Sequence, residues 1–217
     1  EVRYLPAAVG ADTGAIERIR TLALVGQTAS GKTSLAEALL HRAGALGAPG
    51  SLERGTTVSD FDPMERRAQH SLNSAVMHLE HHNTRIHLID TPGYPDFVGQ
   101  SMTALEAVET AAVVINATTG IEMMSARMME WAQGRGLDRM VIVNKIDAQG
   151  VDLPGLLEQI RAAFGKECLP LNLPAGGGTK VVDCFFNTEG QSDFGSVAAA
   201  HRALVEQVVE VDPAFVD

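Results

Sequence analysis

Short, almost wholly apolar runs recur along the chain, each followed by a polar or glycine-rich break and then by a stretch with helical spacing. The first run, Arg20–Gly26 (RTLALVG), is nearly continuous, ends in glycine and predicts a strand buried on both faces. Thr33–Ala43 predicts a helix with Leu35, Leu39 and Leu40 on one face. Ser74–His82 and Thr84–Asp90 predict two paired strands joined around Asn83, and Val98–Thr110 a helix. Ala111–Ala117 (AAVVINA) and Met140–Asn144 (MVIVN) predict further buried strands, separated by a helix near Glu122–Arg135. Another helix is expected over Leu153–Phe164. Strands alternating with helices imply a doubly wound α/β fold, a mostly parallel sheet with helices on both faces.

Three segments break this rhythm. Residues 1–18 lack strong periodicity and predict a loosely attached lead-in. The polar stretch 44–70, with Gly, Pro and Asp, predicts a long mobile loop, and long loops in compact domains are usually functional. From Leu169 the texture changes to LPLNLPAGGG, followed by a strand-like VVDCFF and a helix-like Val197–Val211. A boundary is expected there, with the main domain over 19–168 and part of a second α/β subdomain over 169–217.

Composition narrows the classes. The chain has 217 residues, enough for a two-sided sheet with a core, and 45% hydrophobic with 20% charged residues fits an ordinary soluble protein. No apolar run reaches spanning length and the N-terminus carries no basic-then-apolar leader, so a cytoplasmic protein without a membrane partner is expected. A net charge of −10 opposes binding to naked nucleic acid, and no sequence-specific DNA partner is expected. A ribonucleoprotein met through a small local patch stays open. Cys168 and Cys184 show no CxxC or His pattern and read as unpaired buried thiols.

Three motifs carry chemistry. Gly26–Thr33 (GQTASGKT) fits GxxxxGK[ST] between a strand and a helix, which predicts a P-loop NTPase. Backbone N–H groups of Gly26, Gln27, Thr28, Ala29, Ser30 and Gly31, with those of Lys32, Thr33 and Ser34 at the helix start, can cradle phosphates. Lys32 would reach the β- and γ-phosphates, and the Thr33 hydroxyl would ligate Mg²⁺. Asp90–Gly93 (DTPG) ends an apolar strand; Asp90 can hold a Mg²⁺-bound water and the Gly93 N–H can meet a γ-phosphate. Asn144–Asp147 (NKID) follows the strand MVIV. The Asp147 carboxylate can accept from the N1–H and N2–H₂ edge of guanine, which adenine lacks, so Asn144, Lys145 and Asp147 form a candidate guanine site.

These residues resemble the nucleotide-binding region of translational GTPases, elongation factor G and its bacterial elongation-factor-G-like paralogues. DTPGYPDFV is similar to that family's DTPGHVDF, LEAVETAAVVINATTGIE to the segment after its second switch, and NKID with LPLNLPAGGG to its lead into an inserted subdomain. The resemblance implies GTP/GDP and Mg²⁺ as cofactors, GTP hydrolysis, the ribosome as partner of the longer protein, and a monomer. It also implies that the first-switch threonine of RGIT falls on Ser71 within Ala68–Ser71 (AQHS), making Ser71 a Mg²⁺ ligand. Tyr94 stands at the family's catalytic histidine and Ala29 at its phosphate-loop aspartate, so Tyr94, Gly93 and Lys32 are the candidate catalytic residues. The family's last guanine-contacting SA dipeptide has no counterpart after NKID.

Other clusters read as structural. His78, His81, His82 and His87 lie on the predicted hairpin without a converging Cys or carboxylate pattern. Met123, Met124, Met128 and Met129 recur at helical spacing and read as core. Two rivals to a hydrolytic domain remain: a nucleotide-sensing ribosome binder with little hydrolysis, and a P-loop kinase or ATPase, which NKID disfavours.

Overall fold

The structure, a computed structural model, describes residues 13–59, 62–68 and 70–211. Most of the expected lead-in 1–18 lies outside these residues, as does Gln69 of the AQHS segment. Thr13–Arg18 forms a short 3-10 turn that leads into the first strand.

Five strands make the main sheet: β1 (Ile19–Val25), β2 (Ala75–His81), β3 (Thr84–Asp90), β4 (Thr110–Asn116) and β5 (Asp138–Asn144). Their order is β2-β3-β1-β4-β5; β3, β1, β4 and β5 are parallel and β2 runs antiparallel on the edge. Two of the continuous apolar runs, in β1 and β4, lie inside the sheet, as burial on both faces requires. The third, MVIVN in β5, is expected from the sequence to be buried but forms the other edge of the sheet, where Met140 is 43% exposed and Val141, Ile142 and Val143 are only partly buried. Ala111, Ala112, Val113, Val114 and Ile115 of β4 are all fully buried. On one face α3 (Val98–Leu105), α4 (Met123–Gly134) and α5 (Leu153–Phe164) bury Leu105, Met128, Leu156 and Ile160 against Val25, Val113 and Ile115. On the other face α1 (Lys32–Arg42) buries Ala36 and Leu40 against Leu24, Leu88 and Val114. The doubly wound α/β architecture is therefore present.

After α5 the hairpin of β6 (Asn172–Ala175) and β7 (Lys180–Asp183) and the helix α6 (Val197–Val211) share a small core of Leu173, Cys184, Val197 and Leu204. The glycine turn of this hairpin lies against the NKID loop, since a Cβ at Gly178 would stand 2.5 Å from the Ile146 carbonyl oxygen.

Several boundaries differ from the sequence expectation for local reasons. The stretch 44–70 contains a helix, α2 (Pro63–Ala68), started by Pro63 in the first turn and by Asp62, whose carboxylate accepts the Met64 N–H at 2.7 Å. The helix expected over Val98–Thr110 stops at Leu105 in a tight turn, Glu106 N–H to Thr103 and Ala107 N–H to Ala104, and Thr110 opens β4. His82 and Asn83 are not strand residues: both have positive φ, 45° and 62°, and form the two-residue hairpin turn. The strand expected over VVDCFF ends at Asp183, whose carboxylate takes the Phe185 and Phe186 N–H groups and turns the chain. Met124, Met128 and Met129 are core, but Met123 at the start of α4 is 62% exposed. Both cysteines are free; Cys184 is buried, while Cys168 is only partly so.

Candidate functional site

The three motifs end strands of the parallel sheet at its C-terminal edge: GQTASGKT after β1, DTPG after β3 and NKID after β5. That edge is where open α/β sheets present their ligand sites. The loop Gly26–Gly31 arches from β1 to α1, with Gly26, Ala29 and Gly31 at positive φ of 133°, 59° and 96°. At Gly26 only glycine fits, because a Cβ would stand 2.5 Å from the Val114 carbonyl oxygen in the central strand. The loop wraps the Lys32 ammonium, which donates to the Gly26 and Gln27 carbonyls at 3.0 and 2.7 Å. Burial pulls the Lys32 amine down to about 8, with the Asp90 carboxylate pushing back up. A buried cation beside a helix N-terminus is a place for phosphate. Ser34 lies in the first turn of α1 and is exposed.

Beside Lys32, oxygen atoms from three segments converge. The Thr33 hydroxyl donates to Asp90 Oδ2 at 2.6 Å, and the Ser71 hydroxyl lies 3.5 Å from that of Thr33. Two hydroxyls and a carboxylate are hard donors of the kind that suit Mg²⁺, so the residues present fit that ion. The DTPG turn is held from below by the Thr91 hydroxyl on the Leu24 carbonyl at 2.7 Å and the Ser101 hydroxyl on the Pro92 carbonyl at 2.9 Å. Its tip touches the phosphate loop, where the Thr28 N–H donates to the Gly93 carbonyl at 3.1 Å. Tyr94 caps the next short turn, Pro95–Phe97, and is 37% exposed.

The NKID loop is tied to the phosphate loop at two points. The Asn144 amide donates to the Ser30 carbonyl and the Lys145 ammonium to the Ala29 carbonyl, both at 2.9 Å. Lys145 has φ 60° and the Ala148 N–H returns to its carbonyl, a tight turn that leaves Asp147 exposed. The three motifs thus form one continuous rim.

Comparison with known proteins decides the family. The elongation factor Tu GTP binding domain matches residues 17–212. The chain belongs to this family. It is 36% identical over 203 residues to the elongation factor G-like protein of Mycobacterium tuberculosis (strain ATCC 25618 / H37Rv), a match covering 88% of this chain and 28% of that protein. Peptide chain release factor 3 of Symbiobacterium thermophilum is 32% identical over 169 residues, covering 76% of this chain and 32% of that one. A crystal structure of a Thermus thermophilus protein shares 36% identity at a TM-score of 0.80, over 90% of this chain and 32% of that one. The chain therefore spans about a third or less of the length of these relatives.

In this elongation factor Tu-type domain, sequence reasoning missed what fixes the segment between α1 and β2. Glu37 lies one helical turn after Thr33 and is 1% exposed; its carboxylate accepts the Gly50 and Val58 N–H groups at 2.6 and 2.5 Å. Glu65, also 1% exposed, accepts the Leu72 and Asn73 N–H groups at 2.9 and 3.0 Å, which fixes the chain directly after Ser71. The available signal was Glu37 on the same helix face as Thr33, Ala36 and Leu40, a position that helical spacing assigns to the interior. Glu37→Gln is expected to speed amide exchange at Gly50 and Val58 by about 10- to 100-fold, because one N–H then faces an amide donor, a loss of about 1–3 kcal/mol. Hydrogen exchange read by mass spectrometry checks this; unchanged exchange over 50–58 would show that the carboxylate does not hold the segment.

Proposed function

We propose that this chain is the GTP-binding and GTP-hydrolysing domain of an elongation-factor-G-like translational GTPase that acts on the ribosome. One observation carries the reading: Thr33, Asp90 and Ser71 bring their oxygens together beside the buried Lys32, and the guanine-type NKID loop is bonded to the same phosphate loop. In this reading the N–H groups of Gly26, Gln27, Thr28, Ala29, Ser30, Gly31, Lys32, Thr33 and Ser34 hold the phosphates. Lys32 adds positive charge, and Asn144, Lys145 and Asp147 form the guanine side. Thr33, Ser71 and Asp90 hold Mg²⁺, which supplies charge to the phosphate oxygens when bound. Gly93 meets the γ-phosphate with its N–H, and the Tyr94 hydroxyl orients the attacking water, since phosphoryl transfer asks mainly for positioning and charge stabilisation.

The segments over 44–72 and 90–100 are the two switches, ordered around the γ-phosphate and relaxed after its loss. Residues 19–168 form the nucleotide domain, and 169–217 part of an inserted subdomain with its own small core. The protein works as a cytoplasmic monomer; no helix among the described residues is long and apolar enough to cross a membrane.

A second reading, a nucleotide sensor with little hydrolysis, draws on Tyr94 and Ala29, which stand where the resembled family carries charge-bearing side chains. Nucleotide titration with GDP, GTP and ATP, followed by single-turnover hydrolysis with and without ribosomes, separates the readings. Guanine-selective binding with ribosome-stimulated turnover is the expected result. Guanine binding without turnover on ribosomes would establish the sensor instead, and equal affinity for ATP would remove both.

A further inference from the structure

His70 has no part in the reading above, yet it occupies the space between the two switches. Its ring centroid lies 4.6 Å from that of Tyr94, tilted by 53°, and 6.5 Å from that of Phe97. Its Nδ1 is buried and has no hydrogen-bond partner among the described residues. A buried polar atom without a partner is costly, and a structure keeps one where a ligand or water will meet it. The chain neighbours of the two rings lie at the candidate phosphate site. His70 immediately precedes Ser71, whose hydroxyl lies 3.5 Å from Thr33 Oγ1. Tyr94 immediately follows Gly93, whose carbonyl accepts the Thr28 N–H of the phosphate loop. The tilted ring pair therefore bridges the two segments that border the proposed γ-phosphate position, one residue from each.

We propose that His70, reaching in from the first switch, supplies a ring nitrogen that orients the attacking water together with the Tyr94 hydroxyl, with the Tyr94 ring as the surface that holds the imidazole in place. The proposal rests on the hydrolytic reading. In the reaction the water oxygen bonds to the γ-phosphorus, the bond from that phosphorus to the β–γ bridging oxygen breaks, and GDP leaves with the electron pair. The water's protons pass to the phosphate product and its solvent. His70 only accepts or donates a hydrogen bond to the water, and neither ring changes its protonation. Such an arrangement shares between the two switches a task that a side chain at position 94 could otherwise perform alone.

Two variants separate the polar role from packing. His70→Phe keeps a flat ring against Tyr94 and removes the nitrogen; His70→Asn keeps a hydrogen-bonding atom at the Nδ1 position and loses the ring. Each is compared with the unaltered chain in single-turnover GTP hydrolysis with ribosomes, in GTP and GDP affinity, and in the tightening of GDP by aluminium fluoride, which mimics the transferring phosphoryl group. His70→Phe is expected to slow hydrolysis by about 10²–10³-fold, the usual loss of one positioning group, and to abolish the fluoride-dependent tightening. GTP and GDP affinity stay unchanged, and His70→Asn recovers part of both losses. Hydrolysis and fluoride response retained by His70→Phe but lost by His70→Asn would reduce His70 to packing and overturn the proposal. Equal weakening of GTP and GDP by both variants would do the same. If the unaltered chain neither hydrolyses GTP nor responds to fluoride, the hydrolytic reading itself fails, and the role of His70 with it.

Discussion

Asp147→Asn is expected to lower GDP and GTP affinity by about 10²–10³-fold, because two hydrogen bonds to a charged acceptor are lost at about 1.5–3 kcal/mol each, with partial compensation from the amide oxygen. The carboxylate can accept from both N1–H and N2–H₂ of guanine, whereas an asparagine amide turns a donor toward one of them. Xanthine carries a carbonyl where guanine has its amine, so the same variant should bind xanthine nucleotides better than the unaltered chain does. The effect is expected to be large because the loop that carries Asp147 cannot adjust. Asn144 and Lys145 bond it to Ser30 and Ala29 on one side, and the Gly176–Gly178 turn, pinned by the Asp193 carboxylate on the Gly177 and Gly178 N–H groups, closes the other. Calorimetric titration of GDP and xanthosine diphosphate against both forms checks this. Equal affinity of the unaltered chain for ATP and GTP would remove Asp147 from base recognition.

The parts of the fold that could be read from the chain are those where one physical demand dominates. β4 needs burial on both faces, so five successive apolar residues announce it, and the phosphate loop needs glycine where backbone meets backbone. The elements that escaped are governed by single side chains at a distance. A carboxylate such as Glu37 looks like a solvated helix residue until the chain 13 residues later, Gly50, turns its N–H into it. The segment 44–70 reads as unstructured for the same reason: its order comes from Glu37 and Glu65 and not from any apolar period of its own. The motif spacing points to Lys32, Thr33, Asp90 and Asn144, which the fold gathers at one sheet edge, and Ser71 of the ungapped AQHS alignment lies beside Thr33. The contact of His70 with Tyr94 is not legible in the sequence, because it joins two segments whose separation only the folded chain decides. The hairpin histidines illustrate the converse. Alternation puts His78 and His82 on one face, but the turn rotates His82 away, and His78 instead faces His87 across the strand pair at 6.2 Å between ring centroids.

Gly93→Ala is expected to reduce single-turnover GTP hydrolysis by about 10²-fold or more, as a displacement of about 1 Å at a reacting centre does, while GDP affinity stays close to that of the unaltered chain. A Cβ at Gly93 would stand 2.4 Å from the Thr28 nitrogen, 2.7 Å from the Gln27 carbonyl carbon and 2.6 Å from Lys32 Nζ. Two of these atoms are backbone of the phosphate loop, and that loop cannot yield. Its carbonyls are taken by Lys32, Asn144 and Lys145, and its Gln27 side chain accepts the Met124 N–H at the start of α4. The DTPG turn must therefore swing outward, carrying the Gly93 N–H and Tyr94 away from the γ-phosphate and separating the Tyr94 ring from His70. Global stability should change by only about 1 kcal/mol or less, since the turn lies at the sheet edge and relieves the clash by moving. In the proposed function GDP is held by the phosphate loop, Lys32 and Asp147, none of which the swing displaces. Wild-type turnover by Gly93→Ala would show that the second switch need not close on the phosphate loop during the reaction, and would take Gly93 out of the site.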